Sequence, residues 1–172
     1  MTEVEVRDRR PGDLDAVAAA MVEVNRVDGA PVEDVDDPRG RLDPPGLLHA
    51  WVGTLDAAVV GHALVTTAQP DAAAVDAWVE QGGDRATTVV GGRLFVAPAG
   101  RGHGLGRKLA RAVTDWAAHH ALDLVADVVA TDTASIAIYE RLGWQRIGST
   151  VHDIGHGTEV PAYVYVSTAP AT

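Results

Sequence analysis

"RLFVAPAGRGHGLGRKLARAV", residues 93–113, runs from an apolar stretch through a proline to three glycines spaced two apart, then into an amphipathic segment with two early cations. The apolar run reads as a strand. The segment from Gly104 reads as a helix, with Leu105, Leu109, Val113 and Trp116 on one stripe. A helix N-terminus presents unpaired N–H groups and the positive end of the backbone dipole, and glycines let an anion approach without meeting a Cβ. Gly102, Gly104 and Gly106 stand there with Arg101, Arg107 and Lys108 around them. A turn that only joined strand to helix would not need three alternating glycines. The expected ligand carries a phosphate.

Two common phosphate loops do not fit. A nucleotide loop of the Gly-Lys-Ser/Thr type fails because Arg107, Lys108 and Leu109 follow Gly106. A dinucleotide fingerprint needs glycine at the sixth position from Gly102, where Arg107 stands. Asp127 could imitate its ribose-binding acid, but the motif lies past mid-chain with no strand–helix–strand repeat around it. Nicotinamide binding is the weakest alternative.

Outward from this stretch, strands and helices alternate. "VEVRDR" alternates apolar and charged residues as a strand with one wet face, and Asp13 is placed to cap a helix over "LDAVAAAMVEVNRV". Residues 28–46 are rich in Pro, Gly and Asp and read as a loop with room for one helical turn. "LLHAWVG" and "AAVVGHALVTTA", separated by "TLD", form a hairpin, and "DAAAVDAWVEQGGD" a helical turn ending at Gly82-Gly83. Gly91-Gly92 inside "TTVVGGRLFVAP" marks a bulge or a close backbone approach. "LDLVADVVA" reads as a strand covered on both faces, and "DTASIAIYERLG" as a helix capped by Asp132 and stopped by Gly143. "WQRIGS" and "AYVYVS" are closing strands, with "VHDIGHGTEVP" between them as a loop and "TAPAT" as a tail. The strand–helix–strand unit over 87–129 implies a right-handed crossover with two parallel strands, and the flanking hairpins imply antiparallel edges. The expectation is one α/β domain over 1–172, with a mixed, mostly antiparallel sheet flanked by helices.

Composition limits the partners. Hydrophobic residues at 47% and charged residues at 22% describe a globular chain with a core. A net charge of -10 argues against nucleic acid or an anionic membrane as partner. With no cysteine, disulfides, thiolate metal sites and cysteine nucleophiles are excluded. "MTEVEVRDRR" lacks an apolar signal core and no apolar run approaches a membrane span, so a cytoplasmic location is expected. His119-His120 reads as a helix-end cap. His152 and His156 imitate metal ligands, but Gly155 and Gly157 oppose a helix there, so no metal is expected.

"VAPAGRGHGLGRKLA" resembles the acyl-CoA motif of the GNAT family of N-acetyltransferases, Q/R-x-x-G-x-G/A, with Arg101, Gly104 and Gly106 filling it. "TDTASIAIYERLGWQRIG" resembles the family's following helix and strand, with Tyr139 to Trp144 matching its "YERLGW"-type ending. Element order agrees along nearly the whole chain. The resemblance implies acetyl-CoA as co-substrate, with the pantetheine arm pairing to the backbone of Leu94, Phe95 and Val96. It implies pyrophosphate on the amides of Gly102, His103, Gly104, Leu105, Gly106 and Arg107, beside Arg101. The two parallel strands are implied to splay near the thioester. Where relatives often carry asparagine seven residues before the tyrosine, this chain has Asp132, an equivalent cap that accepts but cannot donate.

The same resemblance implies that Tyr139 protonates the departing thiolate, while a core tyrosine beside Ile136 and Trp144 is the plainer reading. A backbone N–H near Val96 would polarise the carbonyl. No acid stands on the strand before the glycine loop, so the base is open among His49, His62, Asp84, His152, Asp153, His156 and ordered water. The expected function is acetyl transfer to a primary amine of a small molecule or peptide. The alternative is a non-catalytic acyl-CoA-binding module, and a homodimer is compatible with either reading. The acids Asp28, Glu33, Asp34, Asp36, Asp37 and Asp43, against Arg39 and Arg41, suit a cationic acceptor if they border the site, or simply keep the chain soluble.

Overall fold

The structure is a computed structural model that describes residues 1–29, 37–154 and 157–170. Its strands are β1 (Val4–Asp8), β2 (Leu47–Leu55), β3 (Ala58–Thr67), β4 (Thr88–Val96), β5 (Asp123–Val129), β6 (Gln145–Asp153) and β7 (Glu159–Ser167). Its helices are α1 (Leu14–Asp28), α2 (Pro38–Leu42), α3 (Ala73–Glu80), α4 (Leu105–His119) and α5 (Thr133–Arg141). All seven strands share one sheet in the order β1-β2-β3-β4-β5-β7-β6. Only β4 and β5 run parallel, joined by the α4 crossover; the other neighbours are antiparallel. This is the mixed α/β architecture expected from the order of elements.

Local chemistry accounts for the joints. The β2–β3 hairpin turns on Asp56 and Ala57, both with positive φ (47° and 68°). That is the primed turn whose twist matches the flanking strands. The bulge signalled by Gly91-Gly92 falls just after them. His62 faces Phe95 and Leu64 faces Gly92, so Arg93 and Leu94 oppose one residue of β3, and Arg93 adopts φ 51°. The extra residue resets the alternation, so that Leu94 and Val96 join the core under α4 while Phe95 joins the core under α1.

Three apolar clusters hold the layers. Leu109, Ala110, Val113 and Ala117 of α4 pack with Tyr139 of α5 on Trp51, Ala63, Val65, Leu124, Ala126 and Tyr165. On the other face, Val17, Met21 and Val24 of α1 meet Val52, Val60 and Phe95, and Ala74 and Val75 of α3 meet Val125, Val164 and Val166. No helix among the described residues is long and apolar enough to cross a membrane.

Two expectations change, and a third is met. β6 and β7 extend well into "VHDIGHGTEVP", so the connection shrinks to residues 154–158. Asp13 stands at the cap position of α1, but its carboxylate accepts from the Arg10 N–H (2.7 Å) and from both Arg7 guanidinium nitrogens (2.8 and 2.9 Å) instead of from the helix. Arg7 offers a charged fork where the helix offers single neutral donors. The loop over 28–46 does hold one short helix, α2, started by Asp37, whose side chain accepts from the Gly40 N–H at 3.1 Å. Residues 30–36 of that loop, with Glu33, Asp34 and Asp36, lie outside the described residues, as does His156.

Candidate active site

β4 and β5 pair only through Thr88–Asp123, Val89–Leu124 and Val90–Val125; beyond Val90 they separate. A cleft of about 1270 Å³ opens at that parting, lined by β4 from Val90 to Val96, by β5 from Asp127 to Val129, and by the start of α4. The carboxyl ends of parallel strands that part company are where ligands enter such sheets.

The glycine loop forms one wall. Gly102 and Gly104 have φ 81° and 73°, which only glycine adopts without strain, and a Cβ on either would meet no atom within 4 Å. Both therefore turn a bare backbone towards open space in front of the first turn of α4. Arg101, Gly102, Gly104, Leu105, Gly106 and Arg107 line the cleft, and so do Leu94, Phe95, Val96 and Asp132, whereas His103 does not. Arg101 is ion-paired with Asp28 at the end of α1 and donates from Nε to the Val96 carbonyl at 3.2 Å. Asp132 caps α5, accepting from the Ser135 N–H at 3.1 Å.

Tyr139 lines the cleft from α5, buried and stacked flat on Trp144, with ring centroids 4.5 Å apart and planes 8° from parallel. Burial pushes its phenol above the ordinary value, and the nearby charges of Asp132 and Asp127 push the same way. The phenol is therefore held protonated, with a proton to give.

The six base candidates separate cleanly. His49 bonds Asp8 at 2.8 Å and lies tilted against Trp51, outside the cleft lining. Asp84 accepts from the Ala86 N–H at 2.9 Å, before β4, and Asp153 is exposed at the end of β6; neither lines the cleft. His156 is outside the described residues. His152 does line the cleft, and its Nδ1 lies 2.8 Å from Asp127 Oδ2. His119-His120 closes α4 as expected, with the His120 ring bonded to the Trp116 carbonyl at 2.7 Å. No group of three or more His, Asp or Glu among the described residues could hold a metal ion.

His62 is fully buried and locked neutral. Arg9 can only donate to its Nε2 (3.0 Å), and its Nδ1 donates to the Arg93 carbonyl (3.0 Å). Burial pulls its pKa down to about 3, the carbonyl bond resists, and the charges of Arg9 and Arg93 pull further down. The unfolded chain binds a proton that the folded chain refuses. The stabilisation is complete above about pH 6.5 and is lost as pH falls towards the folded value. In that window this residue should cost about 1.4 kcal/mol of stability per pH unit. Asp13, held at about 2 chiefly by its Arg7 bond, adds the same sign only below its ordinary value of 3.8. Urea melts at stepped pH should show the decline in wild type and a flatter slope in His62→Gln; equal slopes would mean that His62 titrates elsewhere.

The described acids of the 28–43 segment are engaged. Asp28 pairs with Arg101, Asp37 starts α2, and Asp43 lies 3.9 Å from Arg9. Sequence reading missed Asp127 as a site residue, and also Thr66, Gln69 and Asp71, which line the cleft. Asp127 had a signal: it is the one charge inside the apolar run 124–129.

Residues 18–144 match the acetyltransferase (GNAT) family. No curated protein matches the chain in sequence. Among solved structures, a Salmonella typhimurium protein solved with its cofactor acetyl-CoA is 18% identical, with a TM-score of 0.73 over 99% of this chain and 96% of that one. The ribosomal-protein alanine N-acetyltransferase of Escherichia coli is 15% identical, with a TM-score of 0.72 over 99% and 97%. An N-acetyltransferase from Staphylococcus aureus is 16% identical, with a TM-score of 0.72 over 96% and 98%. These likenesses establish a shared fold, and the family match covers the glycine loop, the parting strands and Tyr139 together: the chain belongs to the acetyltransferase (GNAT) family.

Proposed function

We propose that the protein moves an acetyl group from acetyl-CoA directly to a primary amine of a small molecule or peptide. The observation that carries this reading is the cleft itself, in which an anion cradle at the start of α4, an open strand edge on β4 and a protonated phenol share one space. The Salmonella protein solved with acetyl-CoA supports the choice of co-substrate. The backbone from Gly102 to Arg107 would hold the pyrophosphate, with Arg101 beside it. Leu94, Phe95 and Val96 would offer the unpaired edge of β4 to the pantetheine arm as an added strand would. Acetyl-CoA supplies the activated thioester. Tyr139 protonates the departing sulfur, and a β4 amide near Val96 polarises the carbonyl. His103 contributes its backbone alone. The chain acts in the cytoplasm as one domain, without metal, nucleic acid or membrane.

The test is thiol release from acetyl-CoA across a panel of polyamines, amino sugars and short peptides, with the acetylated amine identified by mass spectrometry. Binding of acetyl-CoA with no product from any amine would leave a non-catalytic binding module. Arg101→Ala should weaken acetyl-CoA binding only about tenfold, on the order of 1.4 kcal/mol, because its exposed ion pair must be given up first and the amides carry most of the anion site. Calorimetry measures this; a loss as complete as that of a blocked loop would make Arg101 the principal anchor.

A further inference from the structure

We propose that His152 is the general base of this acetyl transfer and that Asp127 is its positioning residue; the inference rests on the function proposed above. β4 carries no carboxylate, so a base must come from elsewhere. Among the six groups weighed from the sequence, His152 is the described residue that the fold brings to the cleft. A carboxylate can only accept, so the 2.8 Å contact with Asp127 Oδ2 makes Nδ1 the donor and puts the imidazole lone pair on Nε2. Side-chain exposures of 21% for His152 and 28% for Asp127 leave the pair shielded yet reachable.

The placement suits acyl transfer. Ala126 and Val128 point into the core shared with Tyr139, so Asp127, between them, points to the opposite face, where Val125 and Val164 pack under α3. Base and acid thus reach the parting of β4 and β5 from opposite faces, one for the incoming nitrogen and one for the outgoing sulfur. Val160 is the residue directly opposite His152 on β7, and beside the dyad the charged or titratable groups lining the same cleft are Asp28, Asp71, Arg93, Arg101, Arg107, Asp132, Tyr139 and Arg141.

His152 Nε2 takes one proton from the ammonium form of the acceptor and passes it to solvent. The neutral nitrogen forms the C–N bond as the C–S bond breaks, and Tyr139 gives its proton to the thiolate. The second proton shed by the nitrogen restores Tyr139. Ammonium and acetyl-CoA become amide, CoA thiol and one released proton, so atoms and charge balance.

The test compares kcat/KM profiles against pH for wild type, His152→Gln and Asp127→Asn. It uses the panel alkylamine that the wild type turns over fastest and p-anisidine, an arylamine that is uncharged at neutral pH. Wild type should rise with pH through a limb that reports loss of a proton from the base. His152→Gln should lose that limb and fall about 10²-fold or more near neutrality, with acetyl-CoA affinity by calorimetry close to wild type. Its loss should be much smaller for p-anisidine, which needs no deprotonation before attack. Asp127→Asn, on another strand, should fall less and move the same limb, and it keeps the idea testable if His152→Gln does not fold. Retention of the limb and rate in both variants, or equal losses for the two amines, would overturn the proposal. A wild type that acetylates no amine overturns the proposed function and this inference together, whereas a working wild type with unaffected variants overturns this inference alone.

Discussion

Tyr139→Phe is expected to lower the turnover number by roughly 10²–10⁴-fold while acetyl-CoA affinity stays close to wild type. The substitution removes one oxygen and its proton and keeps the ring. That ring is stacked on Trp144 and tilted against Tyr165, so packing survives. No hydrogen bond among the described residues uses the hydroxyl, so its removal orphans no buried partner. The direction of the phenol's shift matters here. Burial with Asp132 and Asp127 nearby opposes ionisation, which suits a group that must arrive protonated and be reprotonated after each turnover. Single-turnover rates by rapid quench, where chemistry limits, measure the effect. An unchanged rate would reduce Tyr139 to a packing residue.

Gly104→Val is expected to weaken acetyl-CoA binding by more than about a hundredfold, on the order of 3 kcal/mol, and to leave the fold intact. Gly104 starts α4 with φ 73° and ψ 14°. A β-branched residue there bears roughly 1–2 kcal/mol of strain, which Leu105, Leu109 and Val113 can absorb from the core side of the helix. The new side chain would fill the open space in front of the first-turn amides, where an anion must sit. Gly104→Ala should fall between. Calorimetric titration with CoA decides the matter, and wild-type affinity in Gly104→Val would remove the phosphate from this loop.

Local patterns carried the fold, and contacts between distant strands did not show in them. The glycine loop, the stripe on α4, the cap at Asp132 and the "YERLGW" ending are each written within a few residues, so each could be read in isolation. The bulge was half legible. Gly91-Gly92 announced it, but the residue that takes the positive φ is Arg93, because the register against β3 decides where the extra residue goes. His62 looked like any hairpin histidine; its burial depends on Arg9 and Phe95, which come from β1's end and from β4. His152 and Asp127 meet only because β7 inserts between β5 and β6 and because β6 runs to Asp153, an extension that the glycines of "VHDIGHGTEVP" concealed. Asp28 and Arg101 are likewise far apart in sequence and adjacent in space.

Direct transfer through the cleft is the central claim, and the chain has no cysteine to carry an acyl group by the commonest covalent route. The measurement closest to it is a single turnover with isotopically labelled acetyl-CoA and a panel amine, followed by intact-mass analysis of protein and amine at successive times. The account predicts that the label appears on the amine nitrogen as CoA thiol is released, with the protein mass unchanged throughout. Label on the protein before the amine, or thiol release with no acetylated amine, would contradict it.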